Sequence, residues 1–297
     1  MPRAIRYGRL PTEQPNPRSH SLETLAPLPL VRLMNAEDAR VPAAVRRQLP
    51  QIARAVRLIV DAFQQDGRLF FVGAGTSGRL GVLEAAECPP TFHTPPSLVQ
   101  AIIAGGSRAV FRSQEGAEDD RGQARRSMAR RVRAGDVVVG IAASGVTPFV
   151  GEALRAAGRR GARTILLTCH PGTSLRADVR IAVPVGPEVL TGSTRLKAGT
   201  ATKLVLNMLT LGAMVGTGKT YGHLMVDVRP TSRKLRARAL RIIQSVAGGS
   251  ERTAAVWLRA ARGRVKVAIV MAVRSLSEPA ARRRLARVRG SLRRALG

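Results

Sequence analysis

Four hydroxyl side chains and two carboxylates in this 297-residue chain stand where chemistry on a small anion would need them. Thr76 and Ser77 follow an apolar run, Leu69 to Gly73, and open a helical segment in RLFFVGAGTSGRLGVLEAAECPP, residues 68 to 90. A helix start carries unpaired amide donors and the positive end of the helix dipole, so this turn is an anion seat, with Gly78 allowing close backbone approach. GIAASGVTP, residues 140 to 148, repeats the arrangement with Ser144, Gly145 and Thr147. Two hydroxyl-rich loops at strand ends suit one phosphate group better than a bridging pyrophosphate. Glu87 lies nine residues beyond Gly78 on the first segment, and Glu118 lies in EGAEDD, residues 115 to 120. A phosphate seat with two carboxylates points to proton transfer on a phosphorylated small molecule.

Each signal has a plainer reading. Serine and glycine are ordinary turn residues. Acids in the first turn of a helix complement its dipole, which accounts for Glu115, Asp119 and Asp120. Glu84 and Glu87, three apart, would raise each other's pKa if both turned inward.

Other chemistries fit less well. Gly73 to Gly78 matches GxGxxG, but a dinucleotide site wants an acid at the end of the second strand, and that run ends Ala104-Gly105-Gly106. GAMVGTGKT, residues 212 to 220, has alanine at position 213 where a P-loop needs glycine, and a helical segment precedes it. His20, His93, His170 and His223 show no metal spacing, and no serine or cysteine nucleophile motif occurs. The expectation is therefore an enzyme with neither metal nor cofactor.

The elements that must position these groups alternate. Leu69 to Gly73, Leu98 to Ala104, Asp136 to Ala142, Thr164 to Thr168 and Val179 to Val185 read as buried strands. Helical segments fall between them at about 78 to 87, 117 to 132 and 149 to 160, with prolines 89 and 90 stopping the first. The fold class is α/β: a doubly wound, five-stranded parallel sheet binding its ligand at the strands' carboxyl ends. Ala36 to Phe63 reads as one or two helices broken near Pro50, and residues 231 to 297 as three or four basic helices. The expected organisation is an arm (1–35), an α/β domain binding a phosphorylated small molecule (36–230) and a helical module (231–297). Residues 1 to about 25 read either as a solvated arm or as one whose Thr12, Glu13, Asn16 and Ser19 reach a neighbouring subunit.

A formal charge of +30, carried by 44 arginines and five lysines, raises nucleic acid as a partner. The arginines are spaced along helices rather than blocked, and nine aromatics are few for stacking on bases. A nucleic-acid partner is not favoured, although the charge would draw anionic metabolites in. Two cysteines suit a reducing compartment, and the longest apolar stretch, Gly199 to Gly216, is interrupted by Lys203 and Asn207. With no apolar leader at the start, a soluble cytoplasmic protein with no membrane partner is expected.

Three blocks add up to a family. Gly73 to Phe92, Gly140 to Val150 and Glu188 to Leu209 closely resemble the N-acetylmuramic acid 6-phosphate etherases of the sugar isomerase (SIS) superfamily, which are related to the glucokinase regulatory protein. The resemblance extends to TEQPNPRS, EGAED and YGHLMVDV, and so to nearly the whole chain. It implies a cytoplasmic homodimer that removes the D-lactyl ether from N-acetylmuramate 6-phosphate, leaving N-acetylglucosamine 6-phosphate and D-lactate in cell-wall sugar recycling. It places the family's proton-donating glutamate on Glu87 and its second glutamate on Glu118, and aligns Thr76, Ser77, Ser144 and Thr147 with the phosphate loops. Val146 departs from the family loop SGRTP, as do Glu84, Thr202, His223 and Ser232 at their positions. Losing the loop arginine removes a bidentate anion contact and is expected to weaken substrate binding. A non-catalytic sugar-phosphate sensor and an aldose-ketose phosphate isomerase are the rival readings on the same fold.

Overall fold

In the computed structural model, which describes residues 7–297, five parallel strands form one sheet in the order β2-β1-β3-β4-β5. They are β1 (Leu69–Gly73), β2 (Val99–Ile103), β3 (Val137–Ile141), β4 (Arg163–Thr168) and β5 (Val179–Ala182). β1 and β3 are buried along their whole length, as central strands covered on both faces must be. The order reverses between β1 and β3, whose registers pair Gly73 with Ile141 at the carboxyl end. A crevice opens where crossovers leave such a sheet in opposite directions, so the two hydroxyl-rich loops leave the sheet at its switch point.

The helices before the sheet are α1 (Pro27–Asp38), α2 (Val41–Arg46) and α3 (Leu49–Gln64). The break expected near Pro50 is present, falling between the end of α2 at Arg46 and the start of α3 at Leu49, immediately before Pro50. Pro50 itself sits in the first turn of α3, where a missing N–H costs nothing. Between the strands come α4 (Gly75–Phe92), the short α5 (Arg108–Phe111), α6 (Arg121–Arg131) and α7 (Pro148–Arg159). The segment expected as one helix over 117 to 132 is divided at Asp120, whose side chain caps α6 by accepting from the Gln123 amide at 2.7 Å. Glu118 therefore lies in the 3₁₀ turn Ala117–Asp119 that precedes α6. α4 also differs from expectation, because it runs through Pro89 and Pro90 to Phe92. The prolines stand in its last turn, where few bonds remain to lose, and His93 still donates to the Pro89 carbonyl at 2.9 Å.

After β5 the chain forms α8 (Lys197–Gly216), α9 (Arg233–Ala247), α10 (Glu251–Ala260), α11 (Val265–Arg274), α12 (Glu278–Arg287) and α13 (Leu292–Leu296). The C-terminal basic region thus holds five helices rather than three or four, since α13 is too short for its apolar periodicity to show in sequence. α8 has the length and apolarity of a membrane-crossing helix, and half of that stretch is buried within the protein.

The chain divides into two compact units, residues 1–86 with 97–210, and residues 87–96 with 211–297. The first is built on the sheet, with Phe70, Val138, Met128, Phe149 and Leu154 among its fully buried side chains. The second has its own core, in which Val226, Leu240, Ile243, Leu258, Ile269 and Leu285 meet.

Within the described residues, the N-terminal segment from Tyr7 on is partly built into its own unit rather than wholly solvated. Asn16 is buried and donates to Glu37 at 3.0 Å and to the Pro187 carbonyl at 3.1 Å, and Thr12 is buried too. Glu37, fully buried, also pairs with Lys197, which is itself 1% exposed. Burial by itself would raise the Glu37 carboxyl; Lys197, Asn16 and Arg40 together outweigh it and hold the group below its ordinary value. The groups expected to reach a neighbour are instead used, in part, inside their own unit.

Candidate active site

Two glycines set the geometry of the first loop. A Cβ on Gly73 would lie 2.7 Å from the Gly78 amide nitrogen, and one on Gly78 would lie 2.7 Å from the Gly73 carbonyl. They are needed for strand and helix to pack closely at the turn, whatever the ligand. That contact aims the first turn of α4, with Thr76 and Ser77, outward from the end of β1.

The second loop is held by side chains behind it. Gly145 takes φ of +72°, and a Cβ there would come within 2.8 Å of Thr173, so only glycine fits. The Thr173 hydroxyl donates to the Gly145 carbonyl. His170 Nδ1 lies 3.0 Å from the Ser144 carbonyl and must carry the proton to donate to it. Thr147, at the N-cap of α7, makes no capping hydrogen bond with its side chain, leaving the hydroxyl available to a ligand.

Ser77, Ser144, Thr147 and Glu118 line a single cavity of about 260 Å³, together with Val146, Thr194, Glu13 and Tyr7. Glu118 and Ala74 also line an adjoining cavity of about 140 Å³ with Arg79 and Ser113. Of the expected site residues, the structure thus brings together three hydroxyls and one carboxylate, with two helix starts, from parts of the chain far apart in sequence. Thr76, Gly78 and Gly145 stand beside lining residues without lining the cavity themselves. Glu87 does not line it. It is exposed on α4, ten residues past Ser77, which is about 15 Å along a helix axis. Glu84, its neighbour one turn earlier, is buried and bonded to Lys203 at 2.8 Å and to Thr210. The two therefore do not turn inward as a pair.

Sequence reasoning missed two contributors. Glu13 supplies a second carboxylate to the cavity, and the Gly192 amide donates to the Thr12 carbonyl beside it at 3.1 Å. His170 was weighed only as a metal ligand, although its position two residues after the end of β4 was a sign that it could brace a strand-end loop. Neither cysteine forms a disulfide, and both are buried. The Cys169 thiol is pushed up to about 12 by burial and then by Glu188, so it is no nucleophile.

A five-stranded parallel sheet whose two hydroxyl-bearing loops share a cavity at its switch point is an arrangement that fits a SIS-type α/β domain. Residues 51–157 match the glucokinase regulatory protein N-terminal SIS domain, and residues 117–212 match the SIS domain. The chain belongs to the N-acetylmuramic acid 6-phosphate etherase family. It is 50% identical over 292 residues to the etherase of Rhodopirellula baltica, covering 97% of each chain. It is 57% identical over 268 residues to that of Gloeobacter violaceus, covering 89% of this chain and 87% of the relative. A phosphoheptose isomerase from Francisella tularensis shares the fold, with a TM-score of 0.51 at 18% identity, over 64% of this chain and 98% of that one.

Proposed function

We propose that the crevice at the β1/β3 switch point seats the phosphate of N-acetylmuramate 6-phosphate and that Glu118 moves the protons of its ether cleavage. As a member of its family the chain is a carbon–oxygen lyase of amino-sugar recycling. In the open-chain sugar the ether oxygen sits on C3, β to the C1 aldehyde. Removing the C2 proton gives an enolate that expels D-lactate from C3 without metal or nucleotide. Water then adds at C3 of the conjugated aldehyde to give N-acetylglucosamine 6-phosphate. Such a sequence needs a base at C2, an acid at the departing oxygen, and a group to activate water.

The observation that carries this reading is the convergence of Ser77, Ser144 and Thr147 with Glu118 on one cavity. We assign Ser77, Ser144 and Thr147, with amides of the two helix starts, to the phosphate. Glu118, exposed and beside them, is the base and water activator. Thr76, Gly78 and Gly145 shape the loops. Glu87 is proposed as the acid on the strength of its place in the family motif rather than of this cavity. A cytoplasmic homodimer is part of the same proposal.

The test is D-lactate release from pure protein and N-acetylmuramate 6-phosphate. Glu118→Gln and Glu87→Gln should each lower kcat by about 10²-fold or more, with folding retained, since both side chains are exposed. Release of lactate at an unchanged rate by either variant would remove that residue from the mechanism. Interconversion of aldose and ketose phosphates without lactate would favour the isomerase.

A further inference from the structure

The second unit contains a larger cavity, about 660 Å³, that ether cleavage leaves unused. Its wall is apolar, with Val226, Val228 and Val265 contributing, and its charged lining is mostly cationic. A volume in this range with an apolar wall and a few polar groups is typical of metabolite sites.

The charges sort by partner. Asp227 is taken up by Lys266 at 2.8 Å and Lys219 at 3.4 Å. Arg264 is paired with Glu278. Arg229 and Arg262 have no carboxylate partner among the described residues, and Arg229 donates from Nε to His93 Nε2 at 2.9 Å. His93 thus presents an acceptor to a cation, and burial, then Arg229, lower its pKa. Two lone guanidinium groups on one cavity call for about two negative charges, and a phosphomonoester carries about 1.5 to 2 near neutrality.

Backbone strain marks the same place. His93 and Arg262 have φ of 51° and 53°, the left-handed region in which glycine would be easiest. Both lie just past helix ends, where a glycine would cap at lower cost, yet both carry side chains onto this cavity. Residues held in such conformations at one cavity suggest that their side chains are wanted there.

We propose that this cavity is a second ligand site that binds a small phosphorylated metabolite, its phosphoryl group held by Arg229 and Arg262 and its uncharged body against the valine wall. The fork of each guanidinium can take two phosphate oxygens, which lysine would not do.

The four histidines make ring resonances easy to assign, with His93→Gln identifying the one that matters. The protein is titrated at constant ionic strength with inorganic phosphate, with N-acetylglucosamine 6-phosphate and with uncharged N-acetylglucosamine. The His93 signal should move saturably with one or both phosphates, below about 20 mM, and not with the neutral sugar. Response to inorganic phosphate would identify the phosphoryl group as sufficient, and response to the sugar phosphate alone would show that the apolar wall is also needed. Arg229→Gln with Arg262→Gln, both exposed, should weaken the response at least about ten-fold. No saturable shift with either phosphate, an equal shift with the neutral sugar, or an undiminished response in the double variant would overturn the proposal.

Discussion

Val146 stands where the etherase loop that this sequence resembles, SGRTP, would have arginine. It lines the crevice between Ser144 and Thr147, its amide 3.4 Å from the Ser144 hydroxyl, and offers an isopropyl group where the family loop has a guanidinium. An arginine there would reach the same anion that the neighbouring hydroxyls face. Val146→Arg should therefore lower the apparent KM for N-acetylmuramate 6-phosphate about ten-fold, the worth of one charge-assisted bidentate contact, with little change in kcat. Steady-state D-lactate kinetics measure it, and an unchanged KM would mean that another group already fills the role. That Ser77, Ser144, Thr147 and Glu118 lie near one crevice was readable from spacing because turn and helix start are local features. Glu13 was not, since its place in the crevice depends on a segment that folds back from the far end of the chain.

At the scale of elements the same division holds. All five strands were legible, because a run such as Val137–Ile141, buried on both faces, must be apolar throughout. The N-terminal segment was not, because its proline and serine content is that of a solvated arm. What orders it is polar and distant: Asn16 bonds Glu37, 21 residues on, and the Pro187 carbonyl, 171 residues on. The buried Glu37–Lys197 pair then ties α1 to the start of α8. Glu37 has a folded pKa below its ordinary 4.5, so it contributes stability that is present above that value and lost as pH falls through the folded pKa. Glu37→Gln should flatten that acid limb in urea unfolding measured from pH 7 down to about pH 3. It should also cost on the order of 3 kcal/mol at pH 7, because Lys197 is left buried without its counter-charge. An acid limb as steep in the variant as in the parent would show that other carboxylates carry it.

For the molecule as a whole, charge is the dominant fact. Against 49 arginines and lysines stand 19 acids, so pairing every acid would still leave 30 cations without a counter-charge. Several arginines are nevertheless used locally: Arg68 clamps buried Asp136 at 2.7 Å where β1 and β3 begin, and Arg155 and Arg159 flank Glu152 on α7. Others stand at intervals along helices such as α6 and α12, adding to the positive potential around the protein. A field of that kind acts on encounter, not on the bound state. It should accelerate arrival of a dianionic sugar phosphate at low salt and lose that effect once the Debye length falls to a few ångströms. We expect kcat/KM to fall several-fold, roughly three- to ten-fold, between about 20 mM and 500 mM salt, while kcat stays level. Viscosity dependence at low salt should accompany it if encounter limits the rate. A kcat/KM that is flat across the salt series would mean that the arginines are screened by one another's counterions, and that the crevice hydroxyls and helix starts alone draw the phosphate in.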